Sequence, residues 1–258
     1  MPDALFADPR LARLYDVFDG DRDDLTAYLG LVAELGADRV LDVGCGTGTL
    51  ALLLAGQGRT VTGLDPAAAS LSLARAKPGS AALTWLHGDA TTLPPLRVDL
   101  AVMTGNVAQV FVTDEDWAAT LRGLHAAVRA GGHLVLETRR PERRAWEEWD
   151  GRTERRAVPG IGEVELRTEV TDVALPLVSF RHRYTFPDGQ VLHSDSTLRF
   201  RARDDVEAGL SAQGFATLEV REAPDRPGRE HVFVARRGPD TTVPGSTCVR
   251  VGERRPDA

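Results

Sequence analysis

The sequence predicts an α/β fold: a seven-stranded, mostly parallel sheet with an antiparallel β insertion late in the chain. Three features carry that expectation. Residues 39–55 (RVLDVGCGTGTLALLLA) run from a short apolar strand through a glycine-rich turn into a Leu/Ala-rich helix. Up to residue 138, apolar runs of strand length alternate with segments of helical periodicity, the pattern of βα units. From 139 to 203 the pattern changes to two-residue alternation, and a last helix and two closing strands follow. At 258 residues the chain is long enough to bury a full core.

In the glycine-rich stretch, Asp42 interrupts the apolar run of Val40, Leu41 and Val43, and Gly44, Gly46 and Gly48 follow within five residues. Strand, glycine turn and helix bring backbone N–H groups and a positive helix end close to a ligand. A Cβ at those positions would obstruct the approach. The spacing argues against two ligands. A dinucleotide fingerprint wants glycine or alanine where Thr49 stands. A phosphate-cradling loop wants Gly-Lys-Ser/Thr, and the chain's only lysine, Lys77, is far from the turn. What stands here is D-x-G-x-G-x-G, which resembles motif I of class I S-adenosylmethionine (SAM)-dependent methyltransferases. The resemblance implies that Asp42 helps hold the methionyl ammonium. It also implies that Gly44, Cys45, Gly46 and Gly48 accommodate the methionyl and ribose portions. Without a ligand the same glycines make only a tight βα turn.

Ahead of this motif, Leu11, Leu14, Tyr15 and Phe18 recur at i, i+3, i+4 and i+7, a helical stripe. Leu-Tyr-Asp at 14–16 stands where a similar tyrosine stands in many small-molecule methyltransferases. That implies a first helix covering the cofactor, with Tyr15 reaching cofactor or substrate; packing on the core is the alternative. A second helix is expected over 23–35, stopped by Gly36. Beyond the motif, 59–64 (RTVTGL) reads as a second strand ending at Asp65. A carboxylate there can accept from both hydroxyls of a ribose, or it can cap the helix that Pro66 leads into.

Residues 83–86 form the third strand and run into His87-Gly88-Asp89-Ala90. Gly-Asp-Ala resembles the family's adenine-reading segment. The resemblance implies that Asp89 accepts from the exocyclic amine and that the Ala90 N–H faces a ring nitrogen, while His87 packs. The fourth strand, 97–103, leads to Thr104-Gly105-Asn106. Ligands of α/β sheets lie beyond the carboxyl ends of strands where strand order switches, which puts Thr104 and Asn106 at the methyl-donor end. A helix over 114–130 is expected from Trp117, Leu121, Leu124 and Val128, with Thr113 and Asp116 as a cap pair and Gly131-Gly132 as its stop. The fifth strand, 133–138, carries Glu137 at its end, either to meet a substrate amine or as a surface acid opposite Arg139 and Arg140.

An arginine- and tryptophan-bearing stretch (143–156) then precedes three alternating segments, 162–172, 175–186 and 189–201. Pro187-Asp188-Gly189 joins the last two as a hairpin signal, and Val178, Phe180, His182, Tyr184 and Phe186 share one face. Such an insert resembles the substrate lid of glycine-, sarcosine- and amino-sugar-type N-methyltransferases. A helix over 204–213, stopped by Gly214, and strands at 215–220 and 231–235 complete the family's sheet, whose last strand runs antiparallel. The organisation expected is cap helices and SAM-binding core over 1–138, insertion over 139–203, the rest of the core over 204–237, and a disordered tail over 238–258.

Composition narrows the function. A 42% hydrophobic and 27% charged chain is ordinary for a globular protein. A net charge of −7 argues against a nucleic-acid backbone as partner. Cys45 and Cys248 make no disulfide framework, and no Cys/His spacing suggests a metal. The start of the chain lacks an apolar signal core and no run reaches transmembrane length, so a cytoplasmic protein without a membrane partner is expected.

The resemblance implies SAM as cofactor and methyl transfer to nitrogen or oxygen of a small metabolite, by a monomer or homodimer. The alternatives are methylation of a protein or RNA, and a non-catalytic SAM-binding module. The fourth strand ends in Met-Thr-Gly-Asn, not in the Asp/Asn-Pro-Pro-Tyr/Phe of many base-modifying N-methyltransferases. Tyr15, Glu137, His182 and His193 are the candidate bases; no motif elevates any of them, and for His182 a satisfied, partly buried histidine is the alternative.

Overall fold

The computed structural model describes residues 1–239, so Cys248 and the expected tail from 240 onward lie outside the described residues. The chain opens with α1 (Ala4–Ala7) and α2 (Pro9–Asp19). The expected helical stripe, Leu11 to Phe18, lies wholly within α2, which Asp8 caps by accepting from the N–H groups of Arg10 and Leu11. Pro9 is tolerated at the first position of α2 because an N–H there would have no acceptor within the helix. Helix α3 (Leu25–Glu34) follows and the chain turns at Gly36, in the left-handed region at φ +60°. Then come β1 (Arg39–Val43), α4 (Thr49–Gly56), β2 (Thr60–Asp65), α5 (Ala68–Ala76), β3 (Thr84–His87), β4 (Val98–Met103), α6 (Asp114–Ala127) and β5 (Val128–Arg139). A second group follows, β6 (Thr153–Val158), β7 (Gly162–Ala174), β8 (Leu177–Thr185) and β9 (Val191–Arg199). The chain closes with α7 (Arg203–Ala212), β10 (Phe215–Glu222) and β11 (Glu230–Arg237).

The main sheet has the order β10-β11-β5-β4-β1-β2-β3. Strands β1 to β5 pair in parallel, and β11 lies antiparallel between β5 and β10. Strand order reverses between β1 and β4, which opens a crevice beyond their carboxyl ends. Alternate residues face opposite layers, as the pleat requires. Leu41, Val43, Leu134 and Leu136 pack with Trp117 and Leu121 of α6. On the other face Val40 and Val135 pack with Tyr28 and Val32 of α3 and Leu54 of α4.

Two expectations are corrected. Helix α6 stops at Ala127, and β5 begins at Val128 and absorbs the glycine pair. The register to β4 slips between Val98↔Val128 and Leu100↔His133, so Gly131, at φ +73°, lies in a bulge instead of ending a helix. The second sheet has four strands in the order β6-β7-β8-β9, not three. Residues 153–158 (TERRAV) hide their strand because both faces carry charge: Glu154 sits between Arg152 and Arg156, and only Val158 is buried. Apolar alternation is therefore absent, and pairing to β7 makes the strand.

The shared face of β8 is as expected, with Val178, Phe180, Tyr184 and Phe186 buried. Leu11 and Leu14 of α2 pack on Val158, Val164, Tyr184 and Phe186, so the N-terminal helices join the second sheet. Among the described residues, no helix is long and apolar enough to cross a membrane.

Candidate functional site

The glycine turn is held from β2. The Gly44 and Cys45 N–H groups both donate to the Leu64 carbonyl, at 2.8 and 3.1 Å, and the Gly48 N–H donates to the Cys45 carbonyl at 2.8 Å. All three glycines have positive φ. At Gly48 a Cβ would stand 2.5 Å from the Trp85 ring, so its bareness serves packing. At Gly46 a Cβ would meet nothing within 4 Å, so this residue borders open space. Cys45 is a buried filler; burial, then the charges of Asp42 and Asp65, push its thiol up and keep it protonated.

Three acids expected at the site sit at three strand ends with different environments. Asp42 of β1 is buried, and burial, then the Asp65 charge, push its carboxyl up to about 7. Asp65 of β2 is also buried; its Oδ2 accepts the Gly46 N–H at 2.8 Å and its Oδ1 the Ala67 N–H at 2.7 Å. It thus ties the glycine turn to the start of α5, and one lone pair on each oxygen remains. Burial raises its pKa. Asp89, after β3, is exposed; its Oδ1 accepts from the Thr91 N–H at 2.8 Å, and its Oδ2 has no donor among the described residues. Ala90 beside it is buried. Pro66 is exposed, and its carbonyl faces His87 Nε2 at 3.0 Å; His87 is itself exposed at the strand end and not packed as expected.

Beyond β4, Thr104 is half-buried, and Gly105 and Asn106 both take the left-handed conformation, at φ +66° and +61°. The Asn106 backbone is fixed by Glu137, whose Oε1 accepts its N–H at 3.0 Å while Oε2 accepts the Tyr28 hydroxyl. Glu137 is therefore neither a surface acid nor an open substrate contact. Burial, then the nearby Glu230, push its carboxyl up. Asn106 Nδ2 donates to Glu230 Oε1 at 3.0 Å, and Arg226 Nη1 donates to the same oxygen at 3.1 Å. Asn106 Oδ1 and Glu230 Oε2 are buried without any partner. Arg139 donates to Gln109 Oε1 at 2.9 Å, with its guanidinium over the Trp149 ring at 5.2 Å.

Helix α2 reaches the glycine turn through Asp16. Asp16 accepts from the Thr47 hydroxyl and pairs with Lys77 Nζ at 2.7 Å. Tyr15 is half-buried with its ring 5.5 Å from that of Phe6; burial, then Asp19, raise its pKa and keep the hydroxyl protonated. On the inner face of the second sheet His182 Nδ1 lies 2.9 Å from the Thr168 hydroxyl, and burial lowers its pKa to about 4. That leaves a neutral, weakly basic ring, the satisfied histidine the sequence allowed.

His193 is a correction. It lies opposite Arg183 on the outer face, away from the crevice. Both residues are five positions from Asp188, so a hairpin centred on that turn already implied the pairing. Four residues of the site escaped the sequence reading: Asp16, Thr47, Tyr28 and Glu230. Asp16 had a signal in its neighbour Tyr15. Glu230 stands one residue before the strand expected over 231–235, and the antiparallel course of β11 carries it to the carboxyl ends of the parallel strands.

Residues 40–132 match the methyltransferase domain family. An amino pentose methyltransferase from Micromonospora echinaspora, solved with SAM bound and involved in calicheamicin biosynthesis, superposes with a TM-score of 0.67. The two are 25% identical, over 83% of this chain and 90% of that one. The fold is that of the class I SAM-dependent methyltransferases.

A SAM-dependent methyltransferase from Clostridium acetobutylicum shares the fold of this chain, at TM-score 0.72 and 17% identity over 89% and 98% of the two chains. An uncharacterized methyltransferase of Oceanobacillus iheyensis is 32% identical over 109 residues, 42% of this chain and 50% of that one. The chain spans about half the length of the curated relatives it matches. The crevice fits the SAM that is bound in the amino pentose methyltransferase. Open backbone at Gly46 leaves room for the cofactor, the raised carboxyl of Asp42 is relieved by a cation, and the exposed Asp89 can take an exocyclic amine.

Proposed function

We propose that this methyltransferase transfers the methyl group of SAM to a nitrogen of a small metabolite. The observation that carries the reading is the pair of buried, unpartnered acceptors, Asn106 Oδ1 and Glu230 Oε2, which this reading puts toward the methyl-donor end of the crevice. Two adjacent acceptors suit a group that brings two N–H donors; a hydroxyl, with one proton, leaves one of them bare. The amino pentose methyltransferase with which the chain superposes supports a small amine as acceptor.

Bound SAM supplies a methyl already activated by its sulfonium, so the protein's task is to position the acceptor and exclude water. In this reading Asp42 faces the methionyl ammonium, Gly44, Cys45, Gly46 and Gly48 line its path, and Asp65 with Pro66 borders the ribose. Asp89 and Ala90 read the adenine, and Thr104 and Asn106 lie beside the methyl. Glu137 and Tyr28 act through Asn106, by fixing the turn that presents it. The second sheet serves as a lid, its aromatic face with Trp146, Trp149, Phe180 and Phe200 set against water. A neutral amine needs no base during transfer, which agrees with the weak basicity of His182.

The test is incubation of the chain with methyl-labelled SAM and a metabolite extract. Label on nitrogen of a low-mass product is expected. Label confined to protein, RNA or a hydroxyl product would overturn the proposal.

A further inference from the structure

The outer face of the second sheet carries charge that methyl transfer does not use. The strand register arranges its side chains in rows across the sheet. In one row Arg155 is opposite Glu165 and bonded to it at 2.7 Å. In another, Glu169, Arg181 and Asp195 stand in line, and Arg181 is bonded to Asp195 at 2.6 Å. The row between them holds Thr153, Arg167, Arg183 and His193, with Arg167 directly opposite Arg183 and Arg183 directly opposite His193. Like charges directly opposite on neighbouring strands are destabilising. Both flanking rows avoid that arrangement and this one adopts it. Among the described residues, neither Arg167 nor Arg183 has an ion-pair or hydrogen-bond partner.

Arg167, Arg183 and His193 line a concavity of about 430 Å³ together with Arg181, Glu169 and Asp150. Two of the three carboxylates near its floor are already engaged, Asp195 by Arg181 and Asp150 by the Val170 N–H at 3.0 Å. Asp150 and Glu169 balance the two remaining guanidinium charges across the concavity, yet among the described residues no ion pair joins either carboxylate to Arg167 or Arg183, so both forks stay open.

We propose that this concavity binds a phosphate-type oxyanion. Directly opposite residues of an antiparallel pair have Cβ atoms about 5 Å apart, so two guanidinium forks rise side by side and converge on one tetrahedral anion. A carboxylate has too few oxygens for the two forks and the imidazole together, whereas a phosphate has enough. The site is distinct from the crevice, yet β8 serves both. Arg181 and Arg183 point outward from the strand whose Phe180, His182 and Tyr184 point inward. The anion is inorganic phosphate or a phosphate monoester on a larger molecule, and the two are separated by experiment.

The test is calorimetric titration of the full chain at low salt with inorganic phosphate and, separately, with phenyl phosphate. The wild type is compared with an Arg167→Gln/Arg183→Gln double variant. The wild type should bind at one site per chain, and the double variant should bind about tenfold more weakly or worse. Tighter phenyl phosphate than inorganic phosphate identifies a monoester as the ligand; equal affinities identify the free ion. The double variant should also be at least as heat-stable as the wild type in phosphate-free buffer, because an uncompensated repulsion is removed. Phosphate should raise the melting temperature of the wild type alone. No binding of either probe, binding unchanged in the variant, or a variant less stable without phosphate would each overturn the proposal.

Discussion

Asn106 donates through Nδ2 to Glu230 Oε1 at 3.0 Å, and the two side chains stand with Asn106 Oδ1 and Glu230 Oε2 both buried and without a donor. Each such acceptor costs on the order of 1–3 kcal/mol when left unpaired, so a ligand bringing N–H groups is favoured there. Glu230→Gln would turn one acceptor into a donor able to reach Asn106 Oδ1. The expected outcome is a KM for the amine acceptor raised by about tenfold to a hundredfold, with thermal unfolding little changed. A KM equal to that of the wild type would remove Glu230 from the substrate's surroundings.

Glu137 accepts from two buried donors, the Tyr28 hydroxyl and the Asn106 N–H, and so acts by holding Asn106. Glu137→Ala strands both donors and is expected to cost about 2–4 kcal/mol in urea unfolding. Glu137→Gln keeps an acceptor for Asn106 and should cost much less while retaining turnover. A Gln variant that is stable but loses the pH dependence of kcat would make the carboxylate a proton acceptor instead.

Asp42 gives the site a pH signature. Its folded pKa, about 7, lies above the ordinary carboxylate value, so its contribution to stability is complete below the unfolded pKa, about 3.9, and is lost as pH rises through about 7. An ammonium placed beside it favours the charged form. SAM binding should therefore release protons near neutrality and tighten as pH rises from about 6 to 7.5. Calorimetry in buffers of unlike ionisation enthalpy reads the released protons, and Asp42→Asn should abolish them. Proton uptake on binding would contradict the placement.

Gly46 and Gly48 should separate binding from folding. Alanine at 46 meets open space and bears only the left-handed strain, about 1–2 kcal/mol. Its methyl enters the crevice, so SAM affinity should fall by about tenfold to a hundredfold. Alanine at 48 adds a clash with Trp85 and should cost about 2–5 kcal/mol of stability. Thermal unfolding with and without SAM compares the two, and equal stability losses would show that both glycines serve packing.

Much of this was legible because it is local. The turn at 44–48, the strand ends at Asp65 and Asp89 and the inward face of β8 follow from spacing within a dozen residues. Strand β6 was hidden because its charges leave no apolar period, and the start of β5 because Val128 also fits the apolar stripe of α6. Glu137 illustrates the limit: its position at a strand end was readable, and its partners were not. Tyr28 stands 109 residues before it, and no local pattern links the two.

By itself the sequence determined the order of βα units and the ligand-shaped turn, since backbone preference and hydrophobic period act between near neighbours. Tertiary structure alone decided which polar groups meet. Strand order and the antiparallel β11 bring Glu230 to Asn106, and α2 brings Asp16 to the glycine turn. Whether a buried acceptor finds a donor depends on such long-range placement, and so does the part of the crevice that chooses a substrate.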